Sequence, residues 1–402
     1  MNTESLSRPA TASRRLTMAV MLGALASIGP LSIDMYLPAL PTLAEEMHTG
    51  PSMAQLSLTA CLIGIALGQL IVGPISDVRG RRAPLLIGVS AYAIISLLCV
   101  FTPGILSFIA LRFLQGFAGA AGIVIARACV RDMYSGVELT KFFALLMLIN
   151  GAAPILAPMI GAEVLNHTSW RGVFAVLSVL GVLLLLGVLL VLKETLPLER
   201  RSSGGLRTAL ATFRNLLSNS QFMGYALTQG LVMAAMFAYI SGSSFVLQEI
   251  YHVTPRTYSW LFGLNGAGLI LATQVAGRLA GKLETRSLLK AGLAVTSAGS
   301  VLLLAAVLLK LGLGAVATAF FLVVSSVGII ATATTSLALQ DQGRTAGSAS
   351  ALLGMMSFIF GGMAAPLVGL GGENTAVPLA IVIALLVAGA VASCTLMTKP
   401  KG

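Results

Sequence analysis

Gly73-Pro74-Ile75-Ser76-Asp77-Val78-Arg79-Gly80-Arg81-Arg82 is a short charged stretch between two long apolar runs, and its three arginines and one carboxylate belong outside hydrocarbon. Short loops rich in Lys and Arg stay on the cytoplasmic face, so the stretch also predicts which ends of the flanking runs point inward. The runs themselves decide the class. Of 402 residues, 57% are apolar, 43 are Gly and only 10% are charged, and mean hydropathy is +0.94. A soluble chain is about 45–50% apolar with Gly included. A polytopic membrane protein is expected.

At about 20 residues per crossing, twelve spans fall near 16–38, 53–75, 84–103, 106–130, 141–165, 172–193, 222–247, 257–280, 287–309, 312–337, 345–370 and 376–397. Of the 25 Lys and Arg, all but Arg112, Arg171, Arg256 and Lys310 lie at the termini or in alternate loops, which predicts both termini cytoplasmic in the inner membrane. That placement accounts for the net charge of +11 without nucleic acid, a reading therefore rejected. The longest connection, Lys193 to Gln221, divides the chain into a tail 1–15, a six-helix bundle 16–193, a central loop 194–221, a second six-helix bundle 222–397 and a tail 398–402. Within that loop, Leu206–Leu217 reads equally as an amphipathic surface helix or as a flexible linker. The two halves read as degenerate repeats. Gly277–Arg286 occupies the place of a second signature loop, with Gly281 where the first has Asp77.

Other chemistries find no support. Cys61, Cys99, Cys129 and Cys394 are far apart within or beside apolar runs, and His48, His167 and His252 each stand alone, so neither a metal nor a His-based catalytic centre is indicated. Ser13-Arg14-Arg15-Leu16 superficially matches a twin-arginine signal, but the run after it continues into Pro30, Asp34 and Pro38 with no small-residue cleavage site. It reads as an uncleaved first helix. No HExxH, GxSxG, paired intramembrane carboxylate or P-loop is present, which argues against an enzyme and against primary active transport.

The residues that carry mechanism are polar groups inside apolar runs. Asp34, in Leu31-Ser32-Ile33-Asp34-Met35-Tyr36-Leu37-Pro38, is a functional carboxylate if buried and a solvated helix end if not. Arg112, at a similar depth in the fourth span, is its expected counter-charge, with a purely structural arginine as the other reading. Gly116, Gly119, Ala120 and Gly122 give that span a small-residue face for close packing. Further along, Arg127 reads either as lining an inner cavity mouth or as snorkelling to the interface, while Arg131 and Asp132 are expected beside the signature loop. For a mostly apolar binding chamber between the halves, the candidates are Tyr36, Gln115, Asn150, Gln229, Phe237, Tyr239 and Asn265. Thr332, Thr334, Thr335 and Ser336 read as satisfying backbone groups.

The spacing Gly73, Asp77, Gly80, Arg81, Arg82 resembles the signature between helices 2 and 3 of major facilitator superfamily transporters, and Arg112-Phe113-Leu114-Gln115-Gly116 resembles the family's helix-4 motif. Asn150-Gly151-Ala152-Ala153-Pro154-Ile155-Leu156-Ala157-Pro158-Met159-Ile160-Gly161 resembles its helix-5 antiporter motif, with Ala157 and Ala162 in place of two glycines. Ser32–Pro41, Ala126–Asp132 and Trp170–Phe174 together look like the Bcr/CflA group of drug exporters. The specific motifs lie in residues 32–197, and the second half is similar mainly in architecture. The resemblance implies the major facilitator fold and export of small amphipathic drugs in exchange for protons, by a monomer with no other cofactor. It implies proton coupling through Asp34 and Arg112, a conformational latch of Gly73, Asp77, Gly80, Arg81, Arg82, Arg131 and Asp132, and a helix hinge at Pro154, Pro158 and Gly161. A proton-coupled nutrient or metabolite symporter is the alternative on the same scaffold.

Overall fold

The computed structural model describes residues 12–134, 136–201, 213–279, 282–340, 342, 346–371 and 375–398, and builds them from helices. The long ones are α4 (Pro51–Arg79), α5 (Arg82–Val100), α6 (Ile105–Met133), α7 (Gly136–His167), α8 (Trp170–Val191), α9 (Ser220–Phe245), α10 (Pro255–Leu279), α11 (Thr285–Leu308), α12 (Leu313–Leu339), α13 (Ala346–Val368) and α14 (Val377–Met397). Among the described residues ten of these, all but α7, meet the length and hydropathy needed to cross a bilayer. α7, 32 residues long, stands where the fifth span is expected. Their outward faces carry bare apolar side chains such as Ile87, Leu106, Leu190, Leu271, Val301 and Leu385, each more than 60% exposed. Exposed apolar area this widespread is tolerated only in lipid.

The first span departs from the expected single helix over 16–38. It consists of α1 (Ala12–Ala26), α2 (Ile28–Asp34), a 3₁₀ turn at Leu37–Ala39 and α3 (Leu40–Glu46), with a 48° bend between Thr17–Ala26 and Ile28–Glu46. Proline explains the correction. Pro30 has no N–H to give the carbonyl four residues earlier, and Pro38 and Pro41 reset the chain in the same way. Ser27 bridges the first break by donating to the Gly23 carbonyl. The span survives because neighbouring helices take up the freed backbone groups. One such neighbour is α7: a Cβ on Gly161 would lie 1.8 Å from the Met35 carbonyl oxygen, so glycine is required there.

Two seams join the halves, α4 against α13 and α7 against α10. Ser52 donates to the Pro366 carbonyl, Thr59 to Gly362 and Ser259 to Pro158, while Gln55 reaches Ser241. Ser244 and Gln248 close on the carbonyls of Leu37 and Pro38. Every one of these bonds lies away from the end marked by Gly80 and Arg81, the signature end. Near that end α4 and α13 part to leave a cavity of about 270 Å³. The halves thus close at the opposite end and gape at this one. Of the central loop, residues 213–217 are helical with Phe213 and Leu216 buried, while 206–212, like Gly281, lie outside the described residues.

Candidate functional site

Asp34 closes α2 immediately before the chain breaks, and at 4% exposure it is the one buried carboxylate among the described residues. Among the described residues no hydrogen bond or ion pair holds it there. Its electrostatic neighbours are two fully buried tyrosines of the other half, Tyr239 of α9 and Tyr258 of α10. Tyr239 accepts from Asn265 Nδ2 at 2.8 Å, stacks on Phe262 and meets Phe320 edge-on, so its phenol is fixed in place. Ser243 lies 3.5 Å from the Tyr258 hydroxyl. An acid without a partner, set against an aromatic wall with three hydroxyls and an amide, is able to carry a proton without a competing ion pair to break.

Arg112 is not that partner, which corrects the expected pair. Fully buried, it gives Nη2 to the Ser32 carbonyl at 2.9 Å and Nη1 to Gln115 Oε1, and its guanidinium lies over the Tyr36 and Phe174 rings at 4.5 and 5.4 Å. Gln115 passes the chain to Ser96, and Ser32 bonds Tyr92 at 2.7 Å. The reason is helical phase. Ser32 and Asp34 are two residues apart, about 200° round the axis, so one faces the first half and the other faces the second. Arg112 covers a carbonyl near the break in span one while its Nε stays without an acceptor.

The other candidates separate accordingly. Tyr36, bonded to Ser57 at 3.0 Å, and Gln115 are both fully buried in the network around the Arg112 guanidinium. Tyr239 and Asn265 stand together opposite Asp34. Gln229 accepts from Thr334 and Thr335, and Phe237 packs on Phe358, both within the second half. Thr332 and Thr334 do satisfy backbone carbonyls. The Asn150 side chain lies outside the described residues. Pro154, Pro158 and Gly161 all lie within continuous α7, whose Ile155 packs on Gly263 and Gly266 of α10.

At the signature end, Arg81 bonds Asp77 at 2.5 Å and Asp132 at 2.8 Å, with Ser76 as a third acceptor. Gly80 adopts φ +91°, and Gly73 lines the cavity alongside Asp77. Arg131 does not join the cluster. One residue from Asp132 on a helix, it points about 100° away, into the cavity. The residue that sequence reasoning missed is Glu194, just past α8. Its carboxylate accepts from the backbone N–H groups of Arg81, Arg82, Thr195 and Leu196 at 2.8–3.2 Å, tying the central loop to the start of α5, and Arg82 returns a bond to the Leu189 carbonyl. Partial burial opposes its ionisation, but the four donors outweigh that and hold its carboxyl below the usual range. A depressed folded pKa contributes stability above the unfolded value and loses it as pH falls through the folded one. Glu194→Gln is therefore expected to lower the melting temperature at pH 7. Its gap from the unaltered protein should narrow on acidification, as thermal melts in detergent would read.

The four cysteines are free, and no group of His, Cys, Asp and Glu among the described residues has metal-site geometry. Two halves of lipid-facing helices, meeting along two seams around a lone buried carboxylate, have the build of a secondary transporter rather than an enzyme. The chain belongs to the Major Facilitator Superfamily, which it matches over residues 21–366. It is 45% identical over 385 residues to an uncharacterized MFS-type transporter of Bacillus subtilis (strain 168), covering 95% of this chain and 96% of that one. It is 30% identical to a bicyclomycin resistance protein homolog of Haemophilus influenzae, covering 89% and 90%. Multidrug resistance protein D of Escherichia coli (strain K12) is 29% identical over 66% of each chain. Among solved structures, the partially occluded inward-open xylose transporter of E. coli superimposes with a TM-score of 0.74 at 13% identity, over 97% of this chain and 99% of that one. This last likeness is one of fold.

Proposed function

We propose that this chain exports small amphipathic drugs across the inner membrane in exchange for protons, by alternating access, as a monomer needing no cofactor beyond the coupling ion. The observation that carries the reading is Asp34: buried, unpaired and facing the opposite half, where rocking of the halves alters its surroundings. The names of the relatives resistant to bicyclomycin and to multiple drugs support the direction. The Lys and Arg distribution supports a cytoplasmic signature end with both termini on that side, so the cavity there faces the cytoplasm and receives cargo. Tyr239, Asn265 and the aromatic rings around them serve as the inner end of the binding chamber, and Arg81 with Asp77, Asp132 and Glu194 as the latch.

The test uses everted vesicles acidified inside. Drug added outside is expected to enter while the lumen turns alkaline. A solute that instead leaves the lumen together with protons would identify a symporter and overturn the proposal.

A further inference from the structure

The cavity at the signature end holds hydrogen-bond donors with nothing to bond. Arg131, on its wall, has no hydrogen bond or ion pair among the described residues, and Gln69, also on its wall, has a buried Nε2 without an acceptor. One turn above Arg131, Arg127 lies on the same face of α6 within electrostatic reach of it, and its Nε is buried and likewise unpartnered. The carboxylate that lines the cavity, Asp77, is bonded to Arg81. Val124, Ala128 and Met355 complete an apolar wall beside these donors. Arg131 is exposed in the open cavity, whereas the Arg127 Nε and Gln69 Nε2 are desolvated without acceptors, which is costly, and an arriving anion supplies the charge-assisted acceptor these groups lack.

We propose that this cavity is a recognition site for the acidic group of an amphipathic anion, a carboxylate or sulfonate, held by Arg131 and Gln69 with the charge of Arg127 one turn behind them, while its apolar body lies against α4 and α13. The assignment rests on the export reading and names the cargo class for it: acidic or zwitterionic amphiphiles in preference to plain cations. The same donors suit the phosphate of a lipid headgroup, so the experiment includes a lipid arm.

Rhodamine B, with a free carboxylate, and its ethyl ester share one fluorophore and differ in the acid alone. Fluorescence polarisation with the purified full chain in a neutral detergent is expected to show the acid bound about tenfold more tightly, the value of one charge-assisted contact. Arg131→Gln should bring the ratio close to one, whereas Arg79→Gln, on the exposed flank of α4, should keep it. Equal or tighter binding of the ester by the unaltered protein overturns the acid preference. So does a preference that persists in Arg131→Gln. In nanodiscs, a preference present in zwitterionic phosphatidylcholine but abolished by anionic phosphatidylglycerol would give the donors to an anionic lipid headgroup and overturn the cargo assignment. Lumen alkalinisation driven by either compound reports on proton-coupled export separately, so failure of either idea is recognisable on its own.

Discussion

Asp34→Asn is expected to reduce proton-driven drug accumulation to the level of empty vesicles while the protein still inserts, purifies and melts normally. The substitution is isosteric, and because no hydrogen bond or ion pair holds the carboxylate, it strands no partner. What it removes is the ability to exchange a proton. One proton moving through 100 mV carries about 2.3 kcal/mol, which sustains roughly a 50-fold gradient of an uncharged drug. That ratio should collapse to one in the variant, while downhill counterflow, which needs no proton, continues. Full pH-driven accumulation by Asp34→Asn in reconstituted vesicles would remove this carboxylate from the coupling scheme and leave only the scaffold.

Arg112→Met should also abolish transport, but by a different route that a melting curve separates. The guanidinium satisfies the Ser32 carbonyl and Gln115 Oε1, both deep in the first half. Without it two buried acceptors are stranded at about 1–3 kcal/mol each, offset in part by no longer desolvating a cation that has no counter-ion. The net loss should appear as a drop of several degrees in melting temperature. Arg112→Lys, which keeps the charge but lacks a planar fork to reach both acceptors, should recover only part of it. An Arg112→Met protein as stable as the parent, yet uncoupled, would show instead that the arginine acts on the proton directly.

These contrasting expectations mark where the sequence was legible. Hydropathy and the placement of Lys and Arg exposed the spans, and the spacing of Gly73, Asp77, Gly80, Arg81 and Arg82 exposed the charged turn at the signature end, because both signals are local. The place of Asp34 inside an apolar run marked it as a candidate, but its burial shows only in the structure. The partner of Asp34 was not. Depth along two helices put Arg112 beside it, but contact depends on rotation about the axis and on the break around Ser27, which a linear pattern does not encode. The same loss of phase placed Arg131 with its neighbour Asp132, although consecutive helical residues diverge. Glu194 was hidden for another reason: its partners are backbone N–H groups, which leave no trace in side-chain spacing.

The six side-chain bonds that hold the halves together at the opposite end all run from neutral donors to backbone carbonyls. The signature end relies on ion pairs, and Asp77 there is half open to solvent. Dissolved electrolyte screens the second kind of contact and barely touches the first. The two ends of the molecule therefore answer to different properties of the surrounding fluid: brine weakens the charged turn that frames the open cavity within the first half and leaves the opposite seam sealed.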